Sequence, residues 1–157
     1  MKIRKASVKD IDFMKKIFLK STHKDYFGAG EFYLREEYVD PNYKSMSGPY
    51  NSRKTFIKNN VESLKERVKA PYLSYVLISE KEIVGYIIVE KHLNRYWVND
   101  LIIDKDHQNK GYAKSLLDKV IKDKKNVYLW VNTKNPAKKF WEKQGFKEVL
   151  KESLMKR

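Results

Sequence analysis

DLIIDKDHQNKGYAKSLLDKVI, residues 100–121, decides the fold. An apolar run, rich in β-branched residues, ends in a charged turn. A single glycine follows, and then Ala113, Leu116, Leu117, Val120 and Ile121 recur at helical spacing. The pattern reads strand, tight turn, helix. The amides of a helix's first turn have no intrahelical partners, and the macrodipole leaves positive potential there. Gly111 lets an anion approach the backbone, small Ala113 keeps the next turn clear, and Lys110 and Lys114 flank the position. Such a turn can be a plain connection or a cradle for phosphate.

The elements on either side set the architecture. Upstream, YLSYVLIS (72–79), EIVGYIIVE (82–90) and YWVNDLII (96–103) are separated by the polar turns EK and HLNR, which spells an antiparallel meander. Before the meander, Ile57, Val61, Leu64 and Val68 mark a helix that stops ahead of Pro71. At the start, IRKA (3–6) reads as a short strand. Ser7 and Asp10 form an S-x-x-D capping box, with the serine oxygen expected to accept an amide, and a helix runs on to about Thr22. Residues 23–51 are irregular, with one short helix expected near 31–38. Downstream, VYLWV (127–131) is a buried strand. A fourth helix starts at Pro136 and ends at Gly145, and a last strand or two follow. The expectation is one α+β domain over residues 1–157, with a mixed, mostly antiparallel central sheet and about four helices.

Composition narrows the function. The 157 residues include no cysteine, which excludes disulfides, thiolate metal sites and a cysteine nucleophile. No apolar run approaches the roughly 20 residues that span a bilayer, and MKIRKASVKD lacks the apolar core of a signal peptide. A cytoplasmic protein without a membrane partner is expected. The net charge of +14 favours a polyanionic partner, but the lysines are spread along the chain as a solvated surface.

The turn has a wider pattern around it. QNKGYA (108–113) resembles the Q/R-x-x-G-x-G/A motif of the GNAT superfamily of acetyl-CoA-dependent N-acetyltransferases, and it follows a strand ending in LIID (101–104) as in that family. NPAKKFWEKQGF (135–146) is similar to the family's second motif, N-x-x-A-x-x-F/L-Y-x-x-x-G-F. The resemblance covers essentially the whole chain. It implies a GNAT-type fold and transfer of an acetyl group from acetyl-CoA to an amine by direct attack, with no metal.

On this chain the resemblance implies that the amides of Gln108, Asn109, Lys110, Gly111, Tyr112 and Ala113 cradle the coenzyme A pyrophosphate. Backbone groups of Ile103 pair with the pantetheine arm, and Asn135 touches the cofactor from the opposite wall. The amide of Leu101 stabilises an oxyanion. Lys110, Lys114, Lys138 or Lys139 meets the 3′-phosphate.

Catalytic acid and base are less legible. Trp141 stands where many relatives carry an acidic Tyr, and Trp97 and Trp130 stand where some carry a basic Glu. Asp100 is the nearest carboxylate; strict alternation turns it away from Leu101 unless a bulge intervenes. Water, His23 and His92 are the other candidates. Asp25, Tyr26, Phe27 and Tyr33, in the irregular segment, are expected to bind the amine by charge and cation–π contact. A catalytically weak coenzyme A-binding regulator is the main alternative. A nucleic-acid-binding module, suggested by the charge and 21 aromatic residues, lacks a recognised signature. Nucleic acid is therefore not expected as a partner, whereas the resemblance allows a homodimer.

Overall fold

In the computed structural model, residues 1–21, 53–131, 135–149 and 154–156 are described. Their elements are β1 (Lys2–Lys5), α1 (Ile11–Ser21), α2 (Arg53–Arg67), β2 (Tyr72–Ser79), β3 (Glu82–His92), β4 (Arg95–Ile103), α3 (Tyr112–Ile121), β5 (Val127–Trp130), α4 (Ala137–Lys143), β6 (Lys147–Glu148) and β7 (Leu154–Lys156). The helix expected near 31–38 lies outside the described residues.

The strands form one sheet in the order β1-β2-β3-β4-β5-β7-β6. Every pairing is antiparallel except β4 with β5, where α3 makes the crossover. This is the mixed α+β sheet expected from the sequence. The first meander turn is the expected Glu80–Lys81, and the second is tighter than expected. Glu80 and Lys81 both take positive φ, the geometry that suits a two-residue hairpin. His92 pairs with Arg95, leaving only Leu93 and Asn94 as the second turn.

Alternation along the strands divides the core in two. Leu77, Val84, Ile87, Val89, Val98 and Ile103 face α3, which buries Leu116, Leu117, Val120 and Ile121 against them. Val76, Tyr86 and Ile88 face the other way, onto Ile11, Met14, Ile17 and Phe18 of α1 and Leu64 of α2. The sheet is therefore covered by α3 on one face and by α1 and α2 on the other.

The expected capping box is present and is reinforced. The Ser7 hydroxyl donates to the Asp10 carboxylate at 2.9 Å, and the Ser7 amide donates to it at 2.8 Å. Arg4 adds two hydrogen bonds of 2.7 Å from β1. A buried carboxylate with these donors nearby draws the hydroxyl proton to itself. The Arg4 hydrogen bonds lead in holding the Asp10 carboxyl down to about 2, against the opposing effect of burial.

Candidate active site

β4 and β5 part company half-way along the sheet. Only Tyr96–Val127 and Trp97–Tyr128 are in register, although β4 continues to Ile103 and β5 to Trp130. The rest of β4 borders a V-shaped notch. The Asp104 amide donates back to Val84 of β3 at 2.8 Å. Peptide groups alternate in direction along a strand, so those of Leu101 and Ile103 face the notch.

Gly85 makes this edge possible. It lies opposite Ile103, and a Cβ on it would come within 2.5 Å of Ile103 Cδ1 and 2.9 Å of the Ile102 carbonyl oxygen. The missing side chain lets β3 and the end of β4 approach closely. A glycine inside an apolar run was the available signal.

The turn itself begins with a 3-10 segment, Lys105–His107, capped by Asp104, whose carboxylate accepts the Asp106 amide at 3.0 Å. Asn109 (φ 63°) and Gly111 (φ 76°) are left-handed. A side chain at Gly111 would meet nothing within 4 Å, so its glycine serves backbone conformation and an open approach rather than packing. α3 begins at the next residue and presents its first amides beside this opening. Tyr112 anchors the helix start, its hydroxyl 3.0 Å from Ser79 Oγ.

Two residues of α1, unmarked in the sequence, brace the turn. Lys20 Nζ donates to Asp104 at 2.8 Å and to Asp106 at 2.6 Å. The Ser21 hydroxyl donates to the Ile103 carbonyl at 3.2 Å, and Gln108 Nε2 reaches the same oxygen at 3.1 Å. Gln108 thus acts through its side chain, steadying the edge of β4.

The other expected cofactor residues are arranged as follows. Asn135 caps α4, its Oδ1 accepting the Ala137 amide at 2.9 Å. Lys114 pairs with Asp118, and Lys138 with Glu148 at 2.9 Å. Lys110 and Lys139 are exposed. Trp141 is buried, edge-on to Phe140 and Phe146 with centroids 5.0 and 5.3 Å away. It packs the core beneath α4.

On the α1/α2 face, β4 carries a bulge. Ile88 pairs with Asp100 but Val89 pairs with Val98, leaving Asn99 as the extra residue. The bulge lies before Asp100, so Asp100 still points to the face opposite Leu101. There Arg67 Nη2 lies 2.6 Å from Asp100 Oδ2, with both side chains nearly buried. The charges touch, although the N–H direction misses hydrogen-bond alignment. The Tyr86 hydroxyl is fully buried beside them; burial first, and the Asp100 charge second, push its phenol well above the usual range. Asn99 Nδ2 donates to Glu90 at 3.2 Å. Trp97 stacks with Tyr128 at 5.2 Å and with Trp130 at 6.3 Å. Both positions where relatives carry a carboxylate are filled by one aromatic stack. Asp25, Tyr26, Phe27, Tyr33 and His23 lie outside the described residues.

A profile of the acetyltransferase (GNAT) domain matches residues 31–157. The chain belongs to the GNAT acetyltransferase family. Among characterised GNAT proteins, it is 33% identical over 92 residues to the [ribosomal protein bS18]-alanine N-acetyltransferase of Haemophilus influenzae. That match covers 55% of this chain and 63% of the relative's length. The fold is that of the Thermoplasma acidophilum PaiA N-acetyltransferase crystallised with coenzyme A (TM-score 0.72, 21% identity, 99% of this chain and 97% of that one). It is also that of the Escherichia coli ribosomal-protein-S18-alanine N-acetyltransferase (TM-score 0.66, 15% identity, 95% and 79%). Membership of the GNAT family does not favour the nucleic-acid reading of the charge. No helix among the described residues is long and apolar enough to cross a membrane.

Proposed function

We propose that this protein transfers the acetyl group of acetyl-CoA directly to a primary amine. The observation that carries the reading is the notch. Its β4 edge offers the peptide groups of Leu101 and the amide of Ile103, and it opens beside a left-handed turn at the start of α3. A pantetheine arm carries amide groups that complete such an edge as an added strand would. The pyrophosphate fits the amides of residues 108–113. Lys110 and Lys139 are exposed and available to the 3′-phosphate, and Asn135 borders the cofactor from the α4 side.

The neutral amine attacks the thioester carbon. The Leu101 amide donates to the oxygen as it becomes negative, a fixed donor worth about 3 kcal/mol. The C–S bond then breaks and coenzyme A leaves as a thiolate, a good leaving group that needs no strong acid. Asp100 is already paired with Arg67, so we assign the ammonium proton to water. The acceptor class of the two alanine N-acetyltransferases, an α-amino group, is one to test, since such an amine is partly neutral near pH 8.

Calorimetric titration with acetyl-CoA tests the reading. Micromolar binding is expected, and Gly111→Glu should weaken it by about a hundredfold by placing a like charge at the phosphates. Dephospho-CoA should bind more weakly than coenzyme A if a lysine meets the 3′-phosphate. Absence of acetyl-CoA binding would overturn the proposal.

A further inference from the structure

We propose that the acceptor side of the notch selects a primary amine carrying a second positive charge, with Trp130, backed by Trp97, as the selecting residue. This rests on the acetyl-transfer reading above. Trp97 is in register with Glu90 on one side and Tyr128 on the other, so all three project to the α1/α2 face. Trp130, two residues beyond Tyr128, projects the same way. Tyr128, Trp97 and Trp130 form a row, with successive planes inclined by 29° and 13°.

The row straddles the place where the sheet opens. Trp97 and Tyr128 are the last pair in register, while Trp130 lies past it on the far side of the notch. An amine approaching Leu101 from the α1/α2 face passes along these rings. One end of the row already holds a cation, with Arg95 Cζ 5.9 Å from the Tyr128 centroid. At the other end, Trp97 is the one ring neighbour of Trp130 among the described residues. The same face carries the carboxylates of Glu90 and Asp100, the latter paired with Arg67. Against Arg67 and Arg95 they bring the local charge near zero in a protein of net charge +14.

The chemistry of attack explains why a second charge is needed. The reacting nitrogen must be neutral, so it draws no cation–π attraction as it attacks. A distant ammonium on the same molecule keeps its charge throughout and is attracted by the Trp130 indole face. An uncharged tail gains only apolar contact.

The test compares 1-aminopentane with 1,5-diaminopentane, which share a chain and differ in the second charge. Steady-state kcat/KM is measured for each, with acetyl-CoA titration of every variant alongside. The diamine should be favoured about tenfold, beyond the statistical gain of a second nitrogen. Trp130→Leu should return the ratio to the statistical value with acetyl-CoA binding retained, and Trp130→Phe should keep much of the preference. A wild-type ratio at the statistical value, or an equal loss for both amines in Trp130→Leu, would overturn the proposal. If acetyl-CoA binds and neither amine is acetylated, the acceptor class is wrong while cofactor binding stands. If acetyl-CoA does not bind, the transferase reading fails first and takes this proposal with it.

Discussion

The two sides of the notch are made of different material. The side proposed to hold the cofactor is mostly backbone: edge peptide groups at Leu101 and Ile103, left-handed residues at Asn109 and Gly111, and the start of α3. The side proposed for the acceptor is side chains brought from four elements: Arg67 on α2, Glu90 on β3, Trp97 and Asp100 on β4, and Trp130 on β5. A backbone site occupies a short contiguous stretch and asks only for permissive residues at one or two positions. A side-chain site exists only once distant segments have packed. Substitution should therefore tell them apart, with side-chain identity decisive on one side and backbone freedom on the other.

The largest effect is expected on the acceptor side. Arg67→Ala leaves the Asp100 carboxylate buried without its cation and should cost about 3–5 kcal/mol in urea unfolding. Arg67→Met with Asp100→Leu should recover most of that loss. A small effect of the single substitution would show that this face does not depend on the pair. Next comes Gly85→Ala, which forces a methyl against β4. It should cost about 1–3 kcal/mol and raise the KM for acetyl-CoA, because the displaced atoms belong to the cofactor edge.

A pH experiment addresses the base of the acceptor-side helices, where Asp10 joins α1 to β1. Its carboxyl is held at about 2 against an ordinary 3.8. A depressed carboxyl stabilises the fold above its ordinary value, and the contribution disappears as pH falls from about 4 to about 2. The depression corresponds to about 2 kcal/mol. Asp10→Asn should lose that amount at neutral pH and show a flatter acid limb in thermal melts. The smallest effect should be Asn109→Gly on the cofactor turn. A residue already left-handed gains freedom without losing a contact, so stability and acetyl-CoA binding should change by less than about 0.5 kcal/mol. A large loss would mean that the Asn109 side chain, and not the path of the backbone, does the binding.

The same division explains what could be read before the fold was known. The meander, α3 and the glycine turn follow from periods of two and 3.6 and from one glycine, all within 50 residues. Pro136 and Gly145 bracket α4, whose Trp141 packs inward. Other features have no local signature. The bulge at Asn99 depends on how β3 and β4 slide past each other. The Arg67–Asp100 pair joins residues far apart in sequence, and Lys20 and Ser21 look like ordinary positions in an amphipathic helix. The insertion of β7 between β5 and β6 is a choice among edge partners that alternation alone cannot make. The Ser7–Asp10 box was legible locally, whereas the Arg4 hydrogen bonds that reinforce it come from β1.

The early end of pairing between β4 and β5 has a mechanical consequence. The sheet is in effect two plates, four strands and three strands, joined by two pairs in register and the packing of α3. A molecule lying in the gap and bonding to both sides acts as mortar between them. Resistance to heat then depends on how much of that molecule is dissolved around the protein, rising with the logarithm of its concentration once the gap is mostly filled.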